Sequence, residues 1–170
     1  MRFPHCRGAS PVVQERVFDA IASPKAAMPQ RPPVMTAQEV TAFLDREFPQ
    51  IHIGGRCFHI EEIGPLSARM RMDYHERHVR PGGTLSGPAM MTLADLALYV
   101  AILGQIGPVG LAVTTNLSFN FLRKPAQRAL LADCRLLKLG KRLAVGEVSI
   151  RSDGDDAVVC HATGTYSIPA

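Results

Sequence analysis

The sequence lacks tryptophan, and the part of it that is expected to fold has almost no excess of either charge. The chain has 170 residues and a formal net charge of +4, of which residues 1–34 contribute +3. Residues 35–170 contain 14 basic and 13 acidic residues, a net charge of only +1. A nearly neutral domain offers no broad basic surface to a phosphate backbone, so we expect no nucleic-acid partner.

Motifs for disulfide frameworks and zinc sites are also missing. The four cysteines, Cys6, Cys57, Cys134 and Cys160, form no CxxC pair and have no neighbouring histidine at zinc-ligand spacing. This pattern favours reduced, mostly buried thiols over a disulfide framework or a structural zinc. We therefore expect a cytoplasmic protein without a metal site.

The N-terminal segment lacks a continuous apolar run, so we expect no secretory signal. Residues 1–34 are rich in proline and show no regular periodicity. Their composition predicts a disordered or loosely attached extension. The folded domain is expected over residues 35–170, and Met35 could itself be a natural start of this domain.

Two segments have the pattern of helices. Thr36–Phe48 begins with a capping box, Thr36 followed by Glu39, and carries an apolar stripe. Pro88–Leu103 is apolar on nearly every side, with Gly104 expected as its C-terminal cap. At this length it is shorter than the roughly 20 residues that span a bilayer. We therefore predict a buried core helix and no membrane partner.

Most of the rest of the chain alternates between apolar and polar residues, as β-strands do. The predicted strands are residues 56–63, 66–74, 112–122, 129–139, 143–151 and 157–168, and residues 74–87 are predicted as a loop. In 112–122, strict alternation places Thr114 on the opposite face from Leu117. The order of elements predicts an α+β fold in which an antiparallel sheet wraps around one long buried central helix.

An acidic residue, Asp95, lies within the most apolar segment. An ionised carboxylate is costly there unless it is paired or hydrogen-bonded. It could act as a general base or nucleophile, or it could simply bond a backbone amide or an arginine across an interface. The loop before the helix ends in Gly87, where helix N-terminal amides could stabilise a developing oxyanion. Tight turning alone is the alternative role for the loop glycines.

Gly87 and Asp95 are eight residues apart, about 12 Å along a helix axis. One carbonyl group cannot easily reach both residues of the same helix. The spacing therefore predicts a homodimer in which Gly87 comes from one chain and Asp95 from the other. We expect two such dimers to form a homotetramer.

Three stretches, SGPAMMTLADLALYVAI, AVTTNLSFNFLRKPA and LLKLGKRLAVGEVSIRSDGDDAVVCHATGTYSI, carry a family resemblance. They resemble the hotdog-fold acyl-CoA thioesterases of the PaaI-like (phenylacetate-pathway) group, over roughly residues 50–168. Asp95 stands at the acidic position of that family, and Ser86-Gly87-Pro88 stands where relatives have His-Gly-Gly. Arg80 falls where several relatives have asparagine.

The resemblance implies that the Gly87 N–H polarises a thioester carbonyl, and that Thr114 helps to hold the attacking water. It implies catalytic positions at Asp95, Gly87, Thr114, Ser86 and Arg80, with a site at the dimer interface. No cofactor is implied beyond the coenzyme A of the substrate. Basic residues near C-terminal loops could bind its phosphates. The predicted set is Lys141, Arg142, Lys138 and Arg123, and a solvated surface is the alternative.

Two further residues of the loop, His78 and Arg80, have open roles. Arg80 could pair with Asp95 of the partner chain, or bind a substrate carboxylate or phosphate. His78 could act as a catalytic acid, although an anchor for the loop is the simpler role.

The function predicted from the sequence is hydrolysis of an acyl-CoA thioester. The alternative is a module that binds acyl-CoA without cleaving it, because the family histidine is absent. A hotdog dehydratase ranks lower, since no histidine occupies the central helix.

Overall fold

A computed structural model describes residues 32–169 of the protein, so most of the predicted N-terminal extension lies outside the described residues. The first helix, α1, spans Ala37–Glu47. Its N-cap, Thr36, accepts a hydrogen bond from the Glu39 N–H at 3.3 Å, and the Glu39 carboxylate accepts one from the Thr36 N–H at 2.7 Å. The predicted capping box is confirmed.

A six-stranded antiparallel sheet forms the body of the fold. Its strands are β1 (Phe58–Gly64), β2 (Ser67–Met72), β5 (Val113–Phe121), β6 (Leu130–Leu139), β7 (Leu143–Ser152) and β8 (Val158–Ser167). They lie in the order β1-β2-β6-β7-β8-β5 across the sheet. All six predicted strands are present. The segment predicted as a loop contains a separate hairpin of β3 (Val79–Arg80) and β4 (Thr84–Leu85).

The central helix, α2, spans Gly87–Ile106 and packs against the sheet. This arrangement confirms the predicted hotdog architecture. The predicted end of the helix is wrong: Gly104 lies inside it, and Gly107, with φ of 94°, is the C-cap. Gly104 is needed for packing, because a Cβ atom there would lie 2.5 Å from Cγ2 of Ile63.

At 20 residues, α2 is long and apolar enough to cross a bilayer. The predicted helix was too short for a membrane span, but the length of α2 does not exclude one. However, 67% of its most apolar window is buried within the fold. That burial is typical of the core helix of a globular domain.

A pair of glycines lets α2 approach the sheet closely. Gly146 on β7 and Gly164 on β8 are direct cross-strand partners. A Cβ atom at Gly146 would lie 2.6 Å from a methyl carbon of Leu98, and one at Gly164 would lie 2.5 Å from the other methyl carbon. The buried Leu98 side chain therefore occupies the space that two missing side chains leave, which fixes the depth of the helix.

Strand β5 forms one edge of the sheet and contains a bulge near its start. Its register against β8 shifts between Thr114 and Asn116. Thr114 lies opposite Tyr166, and Leu117 lies opposite Gly164. Since cross-strand partners share a face, Thr114 and Leu117 both face the helix. The predicted alternation is wrong here, because the extra residue of the bulge turns Thr114 to the inner face.

Candidate active site

Asp95 lies on α2 and is held by two hydroxyl groups from the sheet. Thr114 Oγ1 donates a hydrogen bond to Asp95 Oδ1 at 2.7 Å. The Tyr166 hydroxyl lies 2.5 Å from the same Oδ1 and 2.9 Å from the Asp95 backbone carbonyl oxygen, so its proton is shared between two acceptors. Within residues 32–169, Oδ2 has no hydrogen-bond partner. One carboxylate oxygen is thus fixed, and the other is available to react.

Tyr166 is the residue of this group that the sequence did not reveal. It is only 3% exposed, and its ring stacks on that of Tyr99 at a centroid distance of 6.3 Å. Burial raises the pKa of the Tyr166 hydroxyl, and the adjacent Asp95 charge raises it further, so the group remains a donor. A tyrosine that faces inward on an alternating strand requires a hydrogen-bond partner for its hydroxyl. This requirement is the sequence feature that could have pointed to Tyr166.

A cavity of about 550 Å³ opens beside Asp95. The same cavity is lined by Thr114, Tyr166 and Tyr99, and its other lining residues are largely apolar, including Leu96 and the exposed Leu111. The structure therefore brings Asp95 and Thr114 together in a pocket whose remaining lining is apolar apart from Glu47 and the two tyrosines. Such a pocket can accept an apolar group while it orients a water molecule at the carboxylate.

The start of α2 leaves a single backbone amide free. Ser86 is the N-cap, and its hydroxyl accepts a hydrogen bond from the Ala89 N–H at 3.4 Å. The Met90 N–H donates to the Ser86 carbonyl oxygen at 3.3 Å. Pro88 has no N–H. Among the described residues the Gly87 N–H finds no acceptor, so it is the one amide of this turn that can bind an oxyanion.

A second cavity, of about 470 Å³, lies at this end of the helix. Gly87, Arg80, Phe121 and Arg123 contribute to its lining, whereas Asp95 lines only the first cavity. Phe121 packs against the glycine, because a Cβ atom there would lie 3.3 Å from the Phe121 ring. Arg80, predicted to pair with Asp95 of the partner chain or to bind a substrate anion, lines the cavity of Gly87 and not that of Asp95 in the same chain.

Two other predicted catalytic positions, Ser86 and Arg80, form no hydrogen bond with Asp95 among the described residues. Ser86 uses its hydroxyl to cap α2, and Arg80 is an exposed residue on β3. Gly87 and Asp95 line different cavities of one chain, because the helix that carries both holds them apart.

The residues predicted to bind coenzyme A divide between the two ends of the sheet. Lys141 and Arg142 lie in the turn from β6 to β7, where the Arg142 carbonyl oxygen accepts a hydrogen bond from the Ile168 N–H. This turn is at the end of the sheet where β5 begins, as is the exposed Lys138. Arg123 follows the other end of β5. One chain does not bring the four cations together.

His78 lines neither of these cavities. Its Nε2 atom lies 3.7 Å from Cys57 Sγ, and its carbonyl oxygen accepts a hydrogen bond from the Ser86 N–H at 2.8 Å. Burial lowers the pKa of His78, and the charge of Arg77 lowers it further. These contacts favour the role of a loop anchor.

Comparison with known proteins agrees with this architecture. The family model described as Thioesterase superfamily matches residues 82–159. A candidate thioesterase from Silicibacter sp. TM1040, of known crystal structure, is 44% identical and superimposes with a TM-score of 0.76. The match covers 84% of this chain and 97% of that one.

Two more distant relatives extend the comparison. A candidate esterase of Saccharolobus solfataricus is 27% identical over 136 residues, which are 80% of this chain and 87% of the relative. A variant of the phenylacetic acid degradation protein PaaI from Thermus thermophilus is 23% identical, with a TM-score of 0.58 over 66% of this chain and 94% of that one. The last similarity concerns the fold alone. The Silicibacter match, at 44% identity over 97% of that chain, shows that this chain belongs to the thioesterase superfamily, in agreement with the family model.

Proposed function

We propose that the protein hydrolyses acyl-CoA thioesters at a site shared by two copies of the chain. The observation that carries this proposal is that α2 places a candidate proton acceptor and a free backbone amide at two different cavities. Asp95, held by Thr114 and Tyr166, lies at one cavity, and the free Gly87 amide lies at another. Hydrolysis requires a proton acceptor and an oxyanion donor at the same carbonyl group.

In the proposed reaction, the Gly87 N–H donates to the thioester carbonyl oxygen as that oxygen gains negative charge. A water molecule, held by the Thr114 oxygen and Asp95, attacks the carbonyl carbon, and Asp95 Oδ2 takes its proton. The C–S bond then breaks, and the coenzyme A thiolate leaves and is protonated. Direct attack by Oδ2, followed by hydrolysis of the acyl-enzyme, gives the same products.

The exposed edge of β5 favours the dimer that this chemistry needs. Three apolar side chains at its ends, Val113, Phe121 and Leu122, are each more than half exposed. An exposed edge strand is a pairing site unless it is covered, and the exposed apolar side chains at both ends of β5 favour such a cover. Two copies related by a two-fold axis pair this edge antiparallel, so the start of one β5 meets the end of the other.

This pairing joins the two cavities. The first cavity, with Asp95, is at the start of β5, and the second, with Gly87, is at its end. The same pairing brings Lys141 and Arg142 of one copy toward Arg123 of the other. The proposed site for coenzyme A phosphates is therefore also composite.

The activity is tested by the release of free thiol from short, medium, long and aromatic acyl-CoAs. We expect Asp95→Asn to lower kcat/KM by about 100-fold or more, the usual contribution of a general base. The matched control is Asp156→Asn, which makes the same change on an exposed residue of the β7–β8 turn. Equal rates for Asp95→Asn and wild type would refute the proposed role of Asp95.

Mixing two inactive variants tests the shared site. Gly87→Pro removes the amide proton at the first helical position, where proline is tolerated. A heterodimer of this variant with Asp95→Asn contains one site with both groups intact and one with neither. Since half of a random mixture is heterodimer, we expect about a quarter of wild-type activity to return. A mixture that stays inactive, with heterodimers shown by co-purification of two differently tagged chains, would mean that one chain supplies both groups.

A binding module without turnover is the second candidate, and the Ser86-Gly87-Pro88 sequence favours it. The Ser86 hydroxyl is engaged as a helix cap and does not replace a histidine side chain. This candidate predicts saturable acyl-CoA binding with no thiol release from any acyl group in the panel.

A further inference from the structure

The cavity beside Asp95 contains a second carboxylate, which belongs to the end of α1. Glu47 is the last residue of that helix and lines the cavity, and the negative end of the α1 dipole lies at the same place. Among residues 32–169, no arginine, lysine or histidine lines this cavity. The space next to the candidate proton acceptor therefore carries only negative side-chain charge.

The charge of Glu47 acts on the interior of the cavity. Tyr99 follows Asp95 by one turn of α2, and its hydroxyl donates a hydrogen bond to the Gly110 carbonyl oxygen at 3.2 Å. Burial raises the pKa of the Tyr99 hydroxyl, and the charge of Glu47 raises it further. Both residues line the cavity, so the negative potential of Glu47 extends to a group that a bound acyl chain would contact.

Arg46 balances this charge only in part. Its Nε atom donates to Glu47 Oε1 at 2.7 Å, but the two side chains are 66% and 51% exposed. Ion pairs that solvent reaches are weak. Arg46 does not line the cavity, and within the described residues Glu47 Oε2 accepts no hydrogen bond. We propose that Glu47 is a specificity-determining residue, which makes the cavity favour acyl groups with a neutral far end over those that end in a carboxylate.

Two costs oppose a carboxylate at the far end of the acyl group. It gives up part of its hydration without a basic side chain to pair with, and the carboxylates of Glu47 and Asp95 repel it. A cavity of about 550 Å³ equals a sphere about 10 Å across, and a six-carbon chain spans about 6 Å. With the thioester carbonyl beside Asp95, the far carboxylate of an adipoyl group is therefore still inside the cavity. In the proposed dimer, the basic residues of the second cavity accompany Gly87 and so lie at the thioester end of the acyl group.

Hexanoyl-CoA and adipoyl-CoA test this role, because they differ only by the carboxylate at the far end of the chain. The measured quantity is the ratio of kcat/KM for hexanoyl-CoA to kcat/KM for adipoyl-CoA, in which contributions of the shared coenzyme A cancel. We expect a ratio of about 10 or more in the wild type. Glu47→Gln removes the charge at nearly constant size and should lower the ratio about 3- to 10-fold. Arg46→Gln removes the balancing charge and should raise the ratio about 2-fold or more.

The opposite directions of these two changes separate charge from structure. Both variants break the same ion pair, so a looser packing of α1 alone would move the ratio in the same direction in both. Asp156→Asn, the exposed control, should keep the wild-type ratio. Opposite shifts support the inference. Equal kcat/KM for the two thioesters in the wild type, or any other pattern in the two variants, would overturn it.

The inference rests on the proposed function, so its failure must be separable. Turnover of both thioesters with a ratio that does not depend on Glu47 would leave the hydrolase intact. If the wild type cleaves neither thioester, the hydrolase is refuted, and calorimetric titration with the same two thioesters replaces the rates. A higher Kd for adipoyl-CoA, which the two variants shift in opposite directions, would support the role of Glu47. Equal affinities, or no binding of either thioester, would overturn it.

Discussion

Replacing Tyr166 by phenylalanine should reveal how tightly the fold holds the Asp95 carboxylate. The 2.5 Å hydrogen bond to Oδ1 involves a charged acceptor and a donor that is 3% exposed, so its removal should cost about 2 kcal/mol of unfolding free energy. In an Asp95→Ala background the hydroxyl keeps only the neutral carbonyl acceptor at 2.9 Å, and the same change should cost about 1 kcal/mol. The coupling between the two side chains is then about 1 kcal/mol.

Thr114 provides the matched comparison, because it bonds the same oxygen but its side chain is exposed. Water competes for an exposed bond, so the coupling of Thr114→Val with Asp95→Ala should be about 0.5 kcal/mol or less. Urea denaturation at one fixed protein concentration measures both cycles, since dimer formation contributes to stability. A Tyr166 coupling near zero, or one smaller than that of Thr114, would refute the assignment of Tyr166 as the main support of the carboxylate.

Other changes have equally defined outcomes. Because folding raises the pKa of Tyr166, the stabilisation that its neutral hydroxyl gives is complete below about pH 10 and is lost as the pH rises further. The urea midpoint of the wild type should therefore fall at alkaline pH, and it should fall less in Tyr166→Phe. Thr36→Ala should cost about 1 kcal/mol, as for other N-caps. The backbone N–H and the hydroxyl of Thr36 both hold the pKa of Glu39 below its usual value, so the stabilisation linked to the Glu39 carboxylate is present above about pH 4.5 and is lost as the pH falls. Thr36→Ala removes only the hydroxyl and should therefore weaken this acid dependence in part in the same titration. Gly164→Ala should destabilise the fold by about 1–3 kcal/mol, and Leu98→Val should recover part of the loss in thermal denaturation.

The fold could be predicted from the sequence because its burial pattern is simple. A helix that is apolar on every side must be enclosed, and six alternating segments supply the sheet that encloses it. Gly104 was misplaced because glycine serves two purposes, as a cap and as a point of close packing. Only the position of Ile63 in three dimensions distinguishes them.

The candidate site was harder to predict because it depends on departures from regular geometry. The bulge that turns Thr114 toward Asp95 has no clear sequence mark, since Thr115 suits an ordinary strand as well. The contact between Tyr166 and Asp95 joins residues 71 positions apart and requires the register of β8. The division of the basic residues between two ends of the sheet follows from strand order, which spacing alone does not specify.

The two halves of the proposed site, the Gly87 amide and the Asp95 carboxylate, differ in how easily a substitution removes them. Every amino acid except proline carries that amide, so mutation at position 87 seldom deletes the oxyanion donor and more often crowds Phe121. The carboxylate at position 95, in contrast, disappears with almost any substitution. Lineages that give up hydrolysis but continue to bind thioesters should therefore carry their change at position 95, in a chain whose donor is still in place.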